Sequence, residues 1–235
     1  MNNPDPSATA GLASTALERT RWPYLGALAF ALLALPAFAL DIPLARYLRD
    51  IQLPGDLRDL VRIAEVFAHG WGVLFIVITV AVLAPQLRHR LPRVIACAAG
   101  SGLTALLLKW TIARQRPRTH DLQGSVWSTF HGLSPWLSGE RIPQLSGHQL
   151  ESFPSGHTAT AVGLAIGLSL LLPRGRWLFI FFALLAALQR MDSGAHFLSD
   201  TLVATAVACL VSDLCIDRRA GGRWFDRLEK QAPGQ

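Results

Sequence analysis

The stretch Trp177–Ile216, WLFIFFALLAALQRMDSGAHFLSDTLVATAVACLVSDLCI, decides the fold. Two strongly apolar runs, Trp177–Leu188 and Thr201–Ile216, flank a polar link, Arg190-Met-Asp-Ser-Gly-Ala-His196-Phe-Leu-Ser-Asp200. If the residues entering the second run are helical, His196 and Asp200 lie four apart on one helix face. An Asp carboxylate bonded to one imidazole nitrogen fixes the tautomer and leaves the other nitrogen free as base, nucleophile or metal ligand. Arg190 adds a permanent positive fork suited to a phosphate. A plainer reading fits the same residues: a histidine capped by a neighbouring carboxylate, with an arginine snorkelling to a membrane surface. The rest of the chain decides between them.

The same apolar clustering repeats outward. Runs fall at Trp22–Leu40, Val66–Leu83, Val94–Leu108, Thr158–Leu172, Trp177–Leu188 and Thr201–Ile216. Of the 235 residues 51% are hydrophobic and only 16% charged, against about 25% charged in a soluble domain. Several runs are shorter than the ~20 residues a bilayer core asks for. They reach that length only if neighbouring polar residues, His157 and Arg190 among them, lie at membrane depth, where ionisable groups are functional candidates by default. The expectation is an all-α polytopic membrane protein, a six-helix transmembrane bundle over 22–216 with short interfacial helices in its outer loops.

The net charge of +6 does not form a nucleic-acid stripe, and no nucleic-acid partner is expected. The basic residues sit at the ends of the runs, as topology determinants do: Arg19 and Arg21; Arg88, Arg90 and Arg93; Arg174 and Arg176; and Arg218, Arg219, Arg223, Arg227 and Lys230. Placing all four groups in the cytoplasm puts both termini inside. It makes 1–21 a flexible cytoplasmic tail and 217–235 a basic cytoplasmic one. Ala37-Phe-Ala39 resembles a signal-peptide cleavage site, but the apolar run is long for that and reads as a retained helix. Cys97, Cys209 and Cys215 fall in no outer loop, so no disulfide is expected.

Asp41–Glu65 alternates apolar and charged residues around Pro54-Gly55 and reads as one or two short amphipathic helices in the interface. His69 reads as a packed or helix-facing histidine. The longest connection, Arg114 to Ser152, carries Trp127, Phe130 and Trp136; connections of this length are usually functional or disordered. His120, His131 and His148 lie in it without the Cys or carboxylate partners of a metal set, and read as surface residues.

Three clusters now align: Lys109-Trp-Thr-Ile-Ala-Arg-Gln-Arg116-Pro117, Phe153-Pro154-Ser155-Gly156-His157, and Arg190–Asp200. The charge-derived topology, which makes no use of these motifs, puts all three at the outer face. Each has an ordinary alternative: a snorkelling lysine, a turn at Arg116-Pro117, or a helix start at Pro154-Ser155-Gly156 with Thr158 as cap. Together they suit phosphoryl transfer, whose transition state spreads negative charge over three equatorial oxygens. Lys109, Arg116 and Arg190 supply charge, and Ser155 and the Gly156 N–H fill the remaining directions near a helix N-terminus. One histidine then attacks phosphorus while the other protonates the leaving oxygen.

These clusters resemble the three-part signature of the type 2 phosphatidic acid phosphatase (PAP2) family, Lys-x6-Arg-Pro, Pro-Ser-Gly-His and Ser-Arg-x5-His-x3-Asp. The resemblance implies that His196 is the nucleophile, Asp200 its orienting partner and His157 the general acid. Lys109, Arg116, Ser155, Gly156 and Arg190 would bind phosphate, with no metal or cofactor. Gln189 stands where the family has Ser, a change expected to affect local packing or substrate fit; Asp192 reads as a turn cap. The family implies a lipid phosphate or diphosphate substrate at the outer side of a bacterial inner membrane. Phosphatidic acid, phosphatidylglycerol phosphate, undecaprenyl diphosphate and lipid A are candidates, and Gly194–Asp200 is worded like lipid A phosphatases. Two alternatives remain: a lipid-to-lipid phosphotransferase using the same phosphohistidine, and a non-catalytic lipid-binding or transport protein. Haloperoxidase members of the family are typically soluble, and this composition is not. Oligomeric state has no signature in the sequence.

Overall fold

Each of the six apolar runs forms a helix in the computed structural model, which describes residues 22–51, 54–139 and 145–230. The longer helices are α1 (Trp22–Asp50), α2 (Gly55–Ile63), α3 (Gly70–Leu83), α4 (Leu91–Lys109), α5 (Gly156–Leu171), α6 (Arg176–Asp192), α7 (Leu198–Ile216) and α8 (Gly222–Lys230). The tail expected over 1–21 lies outside the described residues, as do 231–235 and the Trp136 side chain.

Helix α5 is the hub. It packs on α4, α6 and α7, while α1 lies along α7. Small residues let the backbones close in. A Cβ on Gly163 would fall 2.2 Å from the Cys97 carbonyl oxygen, and one on Gly167 would fall 2.9 Å from Val94 Cα. Around this contact Val94, Ala98, Ala161, Leu164 and Leu168 form the largest core. The outward faces of the peripheral helices keep large apolar side chains exposed, among them Leu25, Leu28, Leu32 and Leu35 on α1. Such a surface needs lipid rather than water around it, and the protein is a membrane protein. Among the described residues, Trp22–Asp50, Pro85–Lys109 and Leu198–Ile216 are long and apolar enough to cross a membrane. A fourth crossing arises if Gly55–Phe67 and Gly70–Leu83, bent by 73° at their joint, count as one. Helix α5 has 16 residues and α6 has 17. Being enclosed by protein, α5 needs no full bilayer length of apolar sequence.

Three expectations change. First, α1 does not stop at Leu40 but runs ten residues further, to Asp50, through Pro43. The drop in hydropathy at Asp41 marks a buried ion pair, not a loop. Beyond it Arg46 Nε donates to the Leu122 carbonyl (2.6 Å) and Arg49 Nη2 to the Pro117 carbonyl (2.6 Å), so the helix end anchors the long connection. Only α2 remains as a short amphipathic helix, with Val61 buried and Asp56, Asp59 and Arg62 exposed. Second, the described residues of the long connection are not wholly helical. Strands β1 (Ile112–Arg114) and β2 (Phe130–Leu133) pair antiparallel in the register Ile112↔Leu133 and Arg114↔Phe130, with an irregularity between the two pairs. Third, part of the basic C-terminal segment forms α8, with Phe225 buried and Arg93 hydrogen-bonded to Asp226 (2.6 Å) and ion-paired with Glu229 (3.1 Å).

Candidate active site

All three clusters meet at one end of the bundle. Lys109 is the last residue of α4, and its Nζ lies over the start of α5, 3.9 Å from where a Cβ on Gly156 would stand. Glycine there leaves the helix N-terminus open. Ser155 caps α5, its Oγ accepting from Thr158 N (3.3 Å) and meeting Thr158 Oγ1 at 2.9 Å. The cap is therefore Ser155, not Thr158. The Ser155 amide donates to the Asp200 carbonyl oxygen (3.3 Å), joining the second cluster to the third.

Arg116 holds the extended conformation that a residue before proline prefers. Its amide donates to the Gln149 carbonyl (2.9 Å) and its Nη2 lies 3.4 Å from the Glu151 carbonyl oxygen. Arg118 N bonds the Gly194 carbonyl oxygen (2.9 Å), tying the first cluster to the third. Gly194 has φ +62°, and a Cβ there would press to 2.9 Å from that of Arg118, so glycine is required twice over. The Nε atoms of Arg116 and Arg190 are buried without a hydrogen-bond partner. Burial, with Arg118 and Arg190 nearby, lowers the Arg116 guanidinium to about 10, which leaves it charged at neutral pH.

His196 is 2% exposed. It sits ahead of α7, not on it, and the helical His–Asp pair expected from the spacing does not form. Nδ1 donates instead to the Ser152 carbonyl oxygen at 2.5 Å, while Asp200 Oδ2 stands 3.9 Å from Nδ1, too far for a hydrogen bond. A carbonyl only accepts, so Nδ1 carries the proton and Nε2 keeps its lone pair. Burial pushes the imidazole well below its ordinary 6.5, helped by the charges of Lys109, Arg116 and Arg190 and opposed by the Ser152 carbonyl. It is neutral at pH 7.

Asp200 acts one step back. It accepts from Ser152 Oγ (2.6 Å), the Phe197 amide (2.8 Å) and Arg114 Nη1. Arg114 is fully buried. It bonds Asp41 Oδ2 (2.7 Å), Ser199 Oγ (2.8 Å) and Thr129 Oγ1 (3.2 Å), and its guanidinium carbon lies 4.4 Å and 4.6 Å from the ring centres of Phe197 and Phe130. Asp41 also accepts from the Ser199 amide (2.9 Å). One arginine, two carboxylates and two serines thus bind α1, β1 and α7 into a buried polar plug behind His196. Sequence reasoning assigned no role to Arg114, Ser152 or Asp41. The available signal was an aspartate inside an apolar helix, which has to find a cation.

On the opposite side His157 opens onto a pocket of about 300 Å³, shared with Lys109, Gly156 and His69. The His157 and His69 rings lie 6.1 Å apart. His69 is not packed away: it is exposed, caps α3, and accepts weakly from Trp71 N (3.4 Å). Glu65, in the turn Ala64–Phe67, bonds Arg190 Nη1 at 2.9 Å. Gln189 meets both, with Oε1 3.2 Å from Arg190 Nη1 and Nε2 3.4 Å from Glu65 Oε2. In the long connection His120 is not a surface residue, its side chain being 8% exposed and its Nδ1 accepting from Leu122 N (2.9 Å). His131, half-buried, meets Gln115 Oε1 at 3.3 Å, and His148 remains exposed.

A helical membrane protein that gathers two histidines and three cations at the ends of adjacent helices presents a site for an anion. The chain belongs to the PAP2 superfamily, whose family model matches residues 91–219. Two curated relatives, from Rhizobium johnstonii and Rhizobium etli, are both named lipid A 1-phosphatase. They are 36% and 37% identical to it over 107 residues. The matched part is 45% of this chain but only 38% and 40% of the relatives' length. The crystal structure of Aquifex aeolicus LpxE shares the fold, with a TM-score of 0.52 and 18% identity, over 74% of this chain and 93% of that one.

Proposed function

We propose that this protein is an integral-membrane lipid phosphate phosphatase that works through a phosphohistidine without a metal ion. The observation that carries the reading is the gathering of Lys109, Arg116 and Arg190 close enough for their charges to bear on the buried His196 imidazole, with the guanidinium Nε groups of Arg116 and Arg190 buried and without a hydrogen-bond partner. Lys109, Arg116 and Arg190, with Ser155 and the Gly156 N–H, hold the phosphoryl oxygens and supply the positive charge. His196 Nε2 attacks phosphorus, the bond to the lipid oxygen breaks, and His157, which takes up a proton when the phosphate anion binds among the cations, gives that oxygen its proton. Water then attacks the phosphohistidine and returns a proton to His157, the P–N bond breaks, and inorganic phosphate leaves. The Ser152 carbonyl fixes the His196 tautomer, and Asp200 holds Ser152 and the turn at Phe197.

The names of the Rhizobium relatives support lipid A as the first substrate to try. The charge distribution supports six crossings with both termini cytoplasmic and the site on the outer face of a bacterial inner membrane. The deciding experiment measures phosphate release by detergent-purified protein from phosphatidic acid, phosphatidylglycerol phosphate, undecaprenyl diphosphate and lipid A, with excess EDTA. Release that survives chelation and disappears in His196→Ala and His157→Ala is expected. Activity abolished by EDTA, or unaffected by His196→Ala, would overturn the mechanism. Transfer of labelled phosphate to a second lipid in place of release would identify a phosphotransferase.

A further inference from the structure

The bent joint between α2 and α3 forms one wall of the pocket, and it carries a carboxylate that none of the three clusters contains. Glu65 Oε1 bonds Arg190 Nη1 at 2.9 Å and stands 3.9 Å from His157 Nε2. Its own carbonyl accepts from Ala68 N (2.9 Å) and His69 N (3.0 Å), so the joint's turn fixes its backbone. Gln189 Nε2, at 3.4 Å from Oε2, steadies the other carboxylate oxygen. This gives the departure at position 189 a purpose that a serine side chain is too short to serve.

We infer that Glu65 is a specificity-determining residue that selects a neutral, hydroxyl-bearing leaving group, making the protein a phosphomonoesterase in preference to a diphosphatase. The inference rests on His157 protonating the leaving oxygen, as proposed above. The leaving oxygen must then pass beside His157, which brings the group it carries to the Glu65 carboxylate. In a monoester the P–O bond breaks, the oxygen takes the His157 proton, and a neutral alcohol departs. Hydroxyls on a sugar or glycerol leaving group donate to Glu65 and His69. In a diphosphate the departing group is a lipid phosphate, an anion set against a carboxylate that already occupies Arg190 Nη1. Like charges at this range repel strongly in a dry site, but the Glu65 side chain is 39% exposed, so screening reduces the discrimination to about tenfold.

The test compares kcat/KM for the best-cleaved monoester of the lipid panel and for undecaprenyl diphosphate, using full-length wild type, Glu65→Gln and Gln189→Ser. Wild type is expected to favour the monoester. Glu65→Gln is expected to shift the ratio toward the diphosphate about tenfold by raising diphosphate turnover, and Gln189→Ser to shift it the same way by less. A wild type that prefers the diphosphate overturns the inference. So does an unchanged ratio in Glu65→Gln, or a parallel loss on both lipids from a variant that still elutes as folded protein, which would make Glu65 only an anchor for Arg190. His157→Ala separates the two levels: if it retains activity, the function reading itself fails, whereas its loss beside an unshifted Glu65→Gln ratio sinks only the inference.

Discussion

Replacing Arg114 by methionine tests whether the polar plug behind His196 holds the site together. The guanidinium is fully buried and is bonded to both Asp41 and Asp200. Methionine fills much of the volume of the side chain and preserves contact with Phe197 and Phe130, but it strands two fully buried carboxylates. Breaking a buried pair by removing one partner costs about 3–5 kcal/mol, because the remaining charge is uncompensated. For a chain of this size a loss of that order lowers the unfolding midpoint by on the order of 10 °C. The assay is thermal unfolding of the detergent-purified protein at one fixed scan rate, since membrane proteins of this kind often unfold irreversibly. Adding Asp41→Asn to Arg114→Met removes one stranded charge and is expected to recover part of the loss, whereas Asp41→Asn alone destabilises. Adjacent residues of one network are non-additive in this way. A midpoint for Arg114→Met within about 2 °C of wild type, a shift worth no more than about 1 kcal/mol, would refute the reasoning.

Further outcomes follow from the same geometry. In the proposed mechanism the neutral form of His196 attacks phosphorus, and burial lowers its pKa well below the ordinary 6.5, so kcat/KM is expected to fall as pH drops through that lowered value. The acid limb of the pH–rate profile is therefore expected below pH 6.5, and a limb centred at or above 6.5 would contradict the burial argument. If Arg116 and Arg190 hold the phosphoryl oxygens as proposed, Arg116→Ala and Arg190→Ala each remove a fixed donor and are expected to lower kcat by about 10²–10³ in steady-state assays. Gly163→Ala drives a methyl group into the Cys97 carbonyl and is expected to cost about 1–3 kcal/mol or more by denaturant unfolding. Gly55→Ala, where the added methyl meets nothing within 4 Å, serves as its control.

What the sequence revealed and what it concealed divide along the range of the interactions. The six apolar runs were legible because each is a local property, and all six are helices. Helix ends were less so. The end of α1 was misplaced because Asp41 is neutralised by Arg114, 73 residues further along the chain, and no local window contains both partners. The three clusters were legible because each packs cations, histidines and turn residues into a few positions, and the fold brings them to one end of the bundle. Their supporting atoms were not. The group that fixes the His196 tautomer is a backbone carbonyl, at Ser152, and any residue type provides one. The four-residue spacing of His196 and Asp200 suggested a direct bond, but it presumed a helix through a segment that Gly194, at φ +62°, turns aside. Asp200 lies in the first turn of α7 and Ser152 just ahead of α5, so His196 is aligned by the relative position of two helices. The same dependence reaches Gly163 and Gly167, further along α5: by letting α4 approach α5 they set where Lys109 stands over Gly156.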